Sequence, residues 1–143
     1  MLLFNLWKNV ISLVFLRHLN TSYVTLQLTV ISPLSCSLAN LNTKYVTTMR
    51  GMFYDCTSIT SLDLSSFDTS SVTNMSNMFM FCTNLTKLNL ESFDTSKATN
   101  MDYMFYGSTN LSNVKVSNKW VVGSTTTVEY MFKDSGTDHV TTV

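Results

Sequence analysis

The chain reads as an α/β repeat solenoid, a right-handed coil with a parallel sheet of short strands along one face and short helical turns along the other. Two observations predict this. A block of about 26 residues recurs in tandem. Each block carries one apolar pattern of helical spacing and one of strand spacing. The length suits one domain, and its surface is wetted by neutral hydroxyls and amides: of 143 residues, 19 are Ser, 21 Thr and 13 Asn, whereas charged residues make up only 13%.

Residues 49–74 read MRGMFYDCTSITSLDLSSFDTSSVTN, and residues 75–100 read MSNMFMFCTNLTKLNLESFDTSKATN. A third copy, MDYMFYGSTNLSNVKVSNKWVVGSTTT, spans 101–127 with one extra residue, and a fourth begins VEYMFKDSG at 128 and runs to Val143. The matches form columns: Met49/Met75/Met101/Val128, Met52/Met78/Met104/Met131, Phe53/Phe79/Phe105/Phe132 and Cys56/Cys82/Ser108/Ser135. Further along stand Ile59/Leu85/Leu111, Leu62/Leu88/Val114, Leu64/Leu90/Val116, Phe67/Phe93/Trp120 and Val72/Ala98. Chance does not keep Met-Phe in register four times. Residues 49–143 are therefore the regular array. Upstream, LNTSYVT (19–25) and LNTKYVT (41–47) match each other and align with FDTSSVT (67–73), so residues 1–48 read as degenerate copies.

Within one copy, Met49, Met52, Phe53 and Cys56 follow i, i+3, i+4, i+7, which predicts one apolar face of a short helical turn. Leu62 and Leu64 alternate with Ser61, Asp63 and Ser65, the period-2 mark of a half-buried strand. The segments LDL, LNL and VKV are expected to pair in register, and Val143 is expected at the final strand position. SFDTSS (66–71) supplies turn formers, and Asp68 is placed to bond its own backbone in an Asx-type turn. One copy buries too little to stand alone, so neighbours must complete it.

The frame LTKLNLESF (85–93) resembles the leucine-rich-repeat core. The fuller pattern, M-x-x-M-F-x-x-C-x-x-L-x-x-L-x-L-x-x-F-D-T-S, resembles the repeats of BspA-like bacterial surface proteins over residues 43–127. That resemblance implies a secreted or surface-attached chain concerned with adhesion and protein binding. The apolar start, MLLFNLWKNVISLVFLRHLN, is no clear export signal: Lys8 interrupts it and no small-x-small cleavage site follows. The uncharged run 9–16 is far short of the ~20 residues that span a bilayer.

Several chemistries are excluded or weakened. With 9 basic and 9 acidic residues, no Lys/Arg patch is offered to a nucleic acid. Cys36, Cys56 and Cys82 make neither a disulfide framework nor a zinc set. Cys56 and Cys82 share a column whose later members are Ser108 and Ser135, which favours two buried thiols over a ladder disulfide or redox switch. His18 and His139 have no recurring partner. Asp68 and Asp94 give one carboxylate per turn, far from the six to eight oxygens of a calcium site, so no metal or other cofactor is expected. The sequons at Asn20, Asn74, Asn84 and Asn110 arise easily in such a composition, and the Thr47/Thr73/Thr99 column is half of the paired ladder an ice-binding face would want. No Ser/His/Asp, Cys/His or paired-carboxylate arrangement recurs, so the chain reads as non-catalytic.

What remains is the outward strand face: Ser61, Asp63 and Ser65; Lys87, Asn89 and Glu91; Asn113, Lys115 and Ser117. These residues change between copies while their inward neighbours do not, the pattern of a binding face for a host, matrix or cell-surface protein. The competing reading of that face is a merely solvated sheet. For the whole chain, the ragged 22-residue spacing between 19–25 and 41–47 and the stop inside a copy suit an alternative, a truncated or decaying repeat fragment without activity of its own. Uncapped coils are also expected to self-associate through exposed edges.

Overall fold

Buried backbone N–H and C=O groups must find partners, and here each copy finds them in the next. In the computed structural model, which describes residue 38 and residues 41–143, the N–H groups of Met49, Gly51, Phe53 and Asp55 donate to the carbonyls of Asn74, Ser76, Met78 and Met80 at 2.8–2.9 Å. Those of Met75, Asn77, Phe79 and Phe81 donate in the same way to Asn100, Asp102, Met104 and Tyr106. Met101, Tyr103, Phe105 and Gly107 then donate to Thr127, Glu129, Met131 and Lys133. The intervening N–H groups close local turns: Met52 donates to Met49, Tyr54 to Gly51 and Cys56 to Phe53 at 3.0–3.3 Å. Alternate amides thus point along the chain and across to the neighbouring copy.

This ribbon stands where the spacing predicts helical turns; among the described residues there is no α-helix. The cause is local. Each copy places two residues in the left-handed region: Gly51 and Asp55, Asn77 and Phe81, Tyr103 and Gly107, Tyr130 and Asp134, with φ from 51° to 68°. A right-handed helix cannot pass through such positions. The turns nonetheless close every three to four residues, so the same spacing still selects the inward side, and Met49, Met52, Phe53 and Cys56 are all buried. At position 107 glycine is needed twice over, because a Cβ there would lie 2.4 Å from Cδ1 of Phe81.

On the other side lie three parallel strands in the order β1 (Lys87–Leu90), β2 (Asn113–Val116) and β3 (Thr141–Thr142). Leu88 faces Val114 and Leu90 faces Val116 across the first pair, and all four are buried. The LDL segment at 62–64 keeps its alternation, with Asp63 exposed and Leu64 buried, but it is not part of the sheet, which starts at Lys87. The last strand also differs from expectation. Val116 pairs with Thr142, not with Val143, which is 64% exposed. The copy at 101–127 carries one extra residue, and the fourth copy loses one again before β3. That moves half-buried Val140, rather than a strand-end valine, against the core.

A second row of parallel bridges runs Thr48, Asn74, Asn100, Thr127. A third tie was not legible as such: Thr43, Thr69 and Thr95 are buried, and each hydroxyl both donates to the carbonyl and accepts the N–H of one residue in the next copy. Their partners are Asp68, Asp94 and Val121, at 2.7–3.0 Å. Asp68 and Asp94 accept the N–H groups of Ser70 and Ser96 at 3.1 and 3.0 Å, forming the Asx-type turns expected of F-D-T-S. The hydroxyls of Ser70 and Ser96, and after them these backbone bonds, hold both carboxyls below their ordinary range.

The core is columnar. Phe53, Phe79 and Phe105 stack at 5.4 and 5.7 Å with planes within 8°, Phe132 continues the stack at 5.0 Å, and Phe67 lies over Phe93 at 6.4 Å. Beside them Cys56 and Cys82 are buried and joined in no disulfide. The Cys82 thiol donates to the Phe53 carbonyl at 3.1 Å. One copy later Ser108 makes the matching bond to Phe79 at 2.7 Å, which explains how Cys and Ser share the column. The readings for the export-like segment 1–16, the copy at 19–25, His18, Asn20 and Cys36 fall outside the described residues.

Two outcomes follow from this packing. Phe79→Ala, which empties a site stacked on both sides, is expected to cost about 3–5 kcal/mol, and Asn89→Ala on the surface to stay within about 0.5 kcal/mol; denaturant titration compares them, and equal losses would contradict the register. Burial, with Cys56 alongside, pushes the Cys82 thiol from 9.0 up to about 12. Its folded pKa is raised, so the stability it contributes is complete below pH 9 and is lost as pH climbs towards 12. Thiol titration of the native protein at pH 8 is expected to label Cys56 and Cys82 slowly; rapid modification of both would contradict their placement.

Candidate functional site

The outward row of the sheet is built by pleating. In β1, Leu88 and Leu90 point into the core, so Lys87 and Asn89 point out; in β2, Val114 and Val116 do the same for Asn113 and Lys115. Parallel pairing then sets Lys87 beside Asn113 and Asn89 beside Lys115. Thr141, opposite Lys115 in β3, extends the row, and its hydroxyl lies 3.3 Å from Nδ2 of Asn113. Sequence reasoning missed Thr141 because it carried the 27-residue spacing of the third copy into the fourth.

Not all nine residues singled out by the sequence belong to this surface in the same way. Lys87, Asn89, Asn113 and Lys115 lie on paired strands. Glu91 and Ser117 directly follow the strand ends. Ser61, Asp63 and Ser65 are exposed but sit on the segment that the sheet does not include. Asp63 turns its carboxylate back to accept the Ser65 N–H at 3.0 Å, and the hydroxyl and backbone of Ser65 lower its pKa. Asn89 makes the equivalent bond to Glu91 at 2.9 Å. In the third copy the position is Lys115, and Ser117 Oγ accepts the Lys119 N–H instead, at 3.3 Å. The middle of the row is thus a capping carboxylate, a capping amide and an uncommitted ammonium in successive copies.

Other candidate residues spend their polar atoms on structure. Asn84 and Asn110 donate through Nδ2 to the carbonyls of Thr57 and Thr83 at 2.6 and 2.7 Å, and Asn74 caps Ser76. Thr73 and Thr99 donate to the carbonyls of Thr47 and Thr73, one copy back, at 3.1 Å. His139 lies 2.6 Å from the Asp138 carboxylate, both exposed, and draws that carboxyl down. Among the described residues no group of three or more His, Cys, Asp or Glu is placed to hold a metal ion, and no helix is long and apolar enough to cross a membrane.

Neither the curated proteins nor the solved structures contain a match to this chain. One family model does match, described as Mycoplasma protein of unknown function, DUF285, and it covers residues 20–141. The match takes in every residue of the outward row as far as Thr141, and the chain belongs to the DUF285 family.

Proposed function

We propose that the chain is a non-catalytic binding module, a leucine-rich-repeat-like solenoid of BspA-like type that works at the cell surface or after secretion and recognises a protein of the host, the matrix or another cell. The observation that carries this reading is the contrast within the sheet. Buried Leu88, Leu90, Val114 and Val116 hold one register, while the exposed residues between them change from Lys87 and Asn89 to Asn113 and Lys115. A flat row of variable polar side chains on a fixed backbone is the arrangement by which stacked repeats present a specific surface. Support also comes from the polar chemistry, which is spent on turns and ties rather than gathered around a nucleophile or acid–base pair. Among the described residues, five of the six exposed large apolar side chains, Val121, Val122, Val128, Tyr130 and Val143, lie in the last 23 residues, and contact between chains through that surface belongs to the same proposal.

The test is capture from extracellular-matrix and host-surface proteins by the immobilised chain. Lys87→Glu combined with Lys115→Glu reverses both charges on the paired strands, leaves the buried columns untouched, and is expected to weaken capture on the order of tenfold or more at an unchanged melting temperature. Equal retention by both forms, or retention by neither, contradicts the strand face as the binding surface.

A further inference from the structure

On the turn side, away from the sheet, the aromatic side chains that do not enter the core touch one another in an unbroken line. Tyr54 meets Phe81 edge-on at 6.0 Å, and Phe81 meets Tyr106 at 5.5 Å. Tyr106 meets Tyr103 at 5.8 Å, and Tyr103 meets Tyr130 at 5.4 Å. The first four are half-buried and Tyr130 is 49% exposed. Core packing does not require these rings. Tyr103 and Tyr130 occupy left-handed positions, where a bulky residue is disfavoured, and the same column is filled by Gly51 and Asn77. Likewise Tyr106 stands where the preceding copy has Met80.

The charge along this line is one-sided. The four turns 49–56, 75–82, 101–108 and 128–135 carry the carboxylates Asp55, Asp102, Glu129 and Asp134 against only Arg50 and Lys133. The one ion pair among the described residues is His139 with Asp138, so none of the four is paired with a base. Asp102 and Glu129 stand directly before Tyr103 and Tyr130 in sequence and are tied together, the Glu129 N–H donating to Asp102 Oδ1 at 2.6 Å. Both carboxylates contribute to raising the Tyr103 hydroxyl above its ordinary range, behind the larger effect of desolvation. A cation already rests on the line: Lys133 Nζ lies 4.9 Å from the Tyr130 ring centroid, within the range of a cation–π contact.

We propose that this aromatic line is a second docking surface, separate from the strand face, whose occupant is an extended lysine- or arginine-bearing segment of a partner protein. The ring faces receive the cationic heads, and the Glu129 and Asp102 carboxylates, whose charge is felt at Tyr103, supply the charge complement. An extended chain repeats its side chains on one face every ~6.6 Å, comparable with the 5.4–6.0 Å ring-to-ring steps.

The experiment is an anisotropy titration of the full chain with a fluorescein-labelled alternating lysine–glycine peptide, beside the corresponding glutamate–glycine peptide and a malto-oligosaccharide. The lysine peptide is expected to bind and the other two are not. Tyr103→Asn combined with Tyr130→Asn copies the native residue at position 77, keeps every charge and suits the left-handed backbone; it is expected to weaken binding about tenfold. Glu129→Gln, which leaves its backbone bond to Asp102 in place, is expected to weaken it about threefold. The Lys87→Glu, Lys115→Glu form is expected to retain at least the native affinity, which separates this surface from the strand face. Circular dichroism verifies that each variant is folded. No binding of the lysine peptide, undiminished binding by the tyrosine variant, or preference for the oligosaccharide would each overturn the proposal.

Discussion

The structure depends on alternate backbone amides being handed to the next copy. A residue in a helix spends its N–H on its own turn; in residues 49–55, 75–81 and 101–107 every second N–H instead crosses to a carbonyl about 26 residues away. Half of the turn's donors therefore have no partner within their own copy, and the unit is satisfied only in company. Left-handed backbone at two positions per copy turns these amides outward. That conformation is costly for Phe81, Tyr103 and Tyr130, and the cross-copy bonds at 2.8–3.0 Å that these turns donate and receive offset it.

The unusual composition follows from the same requirement. Where two copies meet away from the sheet, short side chains close the gap: Thr69 binds both backbone groups of Asp94, Ser92 reaches the Leu64 carbonyl, and Asn84 reaches Thr57. A hydroxyl or amide of this length spans neighbouring backbones with little side-chain entropy to lose, and a lysine or glutamate would not. The low charge content reflects this use, and it leaves the few charged residues concentrated in the outward sheet row and the turns.

Much of the arrangement was legible from the repeat. The Met, Phe and Cys columns predicted the buried set in the first three copies, while in the fourth Val128 is exposed and Phe132 half-buried, and the Leu/Val alternation predicted which side of each strand faces solvent. The backbone of the turn was not legible, because i, i+3, i+4, i+7 marks any chain that closes a turn every three to four residues. Gly51, Asn77 and Gly107 are residues that accept positive φ, yet Tyr103 and Tyr130 in the first column and Phe81 in the second conceal the signal. Thr43, Thr69 and Thr95 recur in register, but threonine is mostly a surface residue, and a buried hydroxyl bonding twice to one neighbour has no pattern of its own in sequence. For the outward strand face, alternation placed Asp63 and Asn89 alike. Only the hydrogen bonding shows that the sheet begins at Lys87 and that compensating one-residue length changes bring Thr141 into line.

The inter-copy ladder is measured most directly by through-hydrogen-bond scalar couplings between amide nitrogens and carbonyl carbons on isotope-labelled protein. The structure predicts correlations from Phe53 N to the Met78 carbonyl, from Phe79 N to Met104, and from Phe105 N to Met131. Correlations from Phe53 N to the Met49 carbonyl and from Phe79 N to Met75, the i to i−4 pattern of a helix, would contradict it.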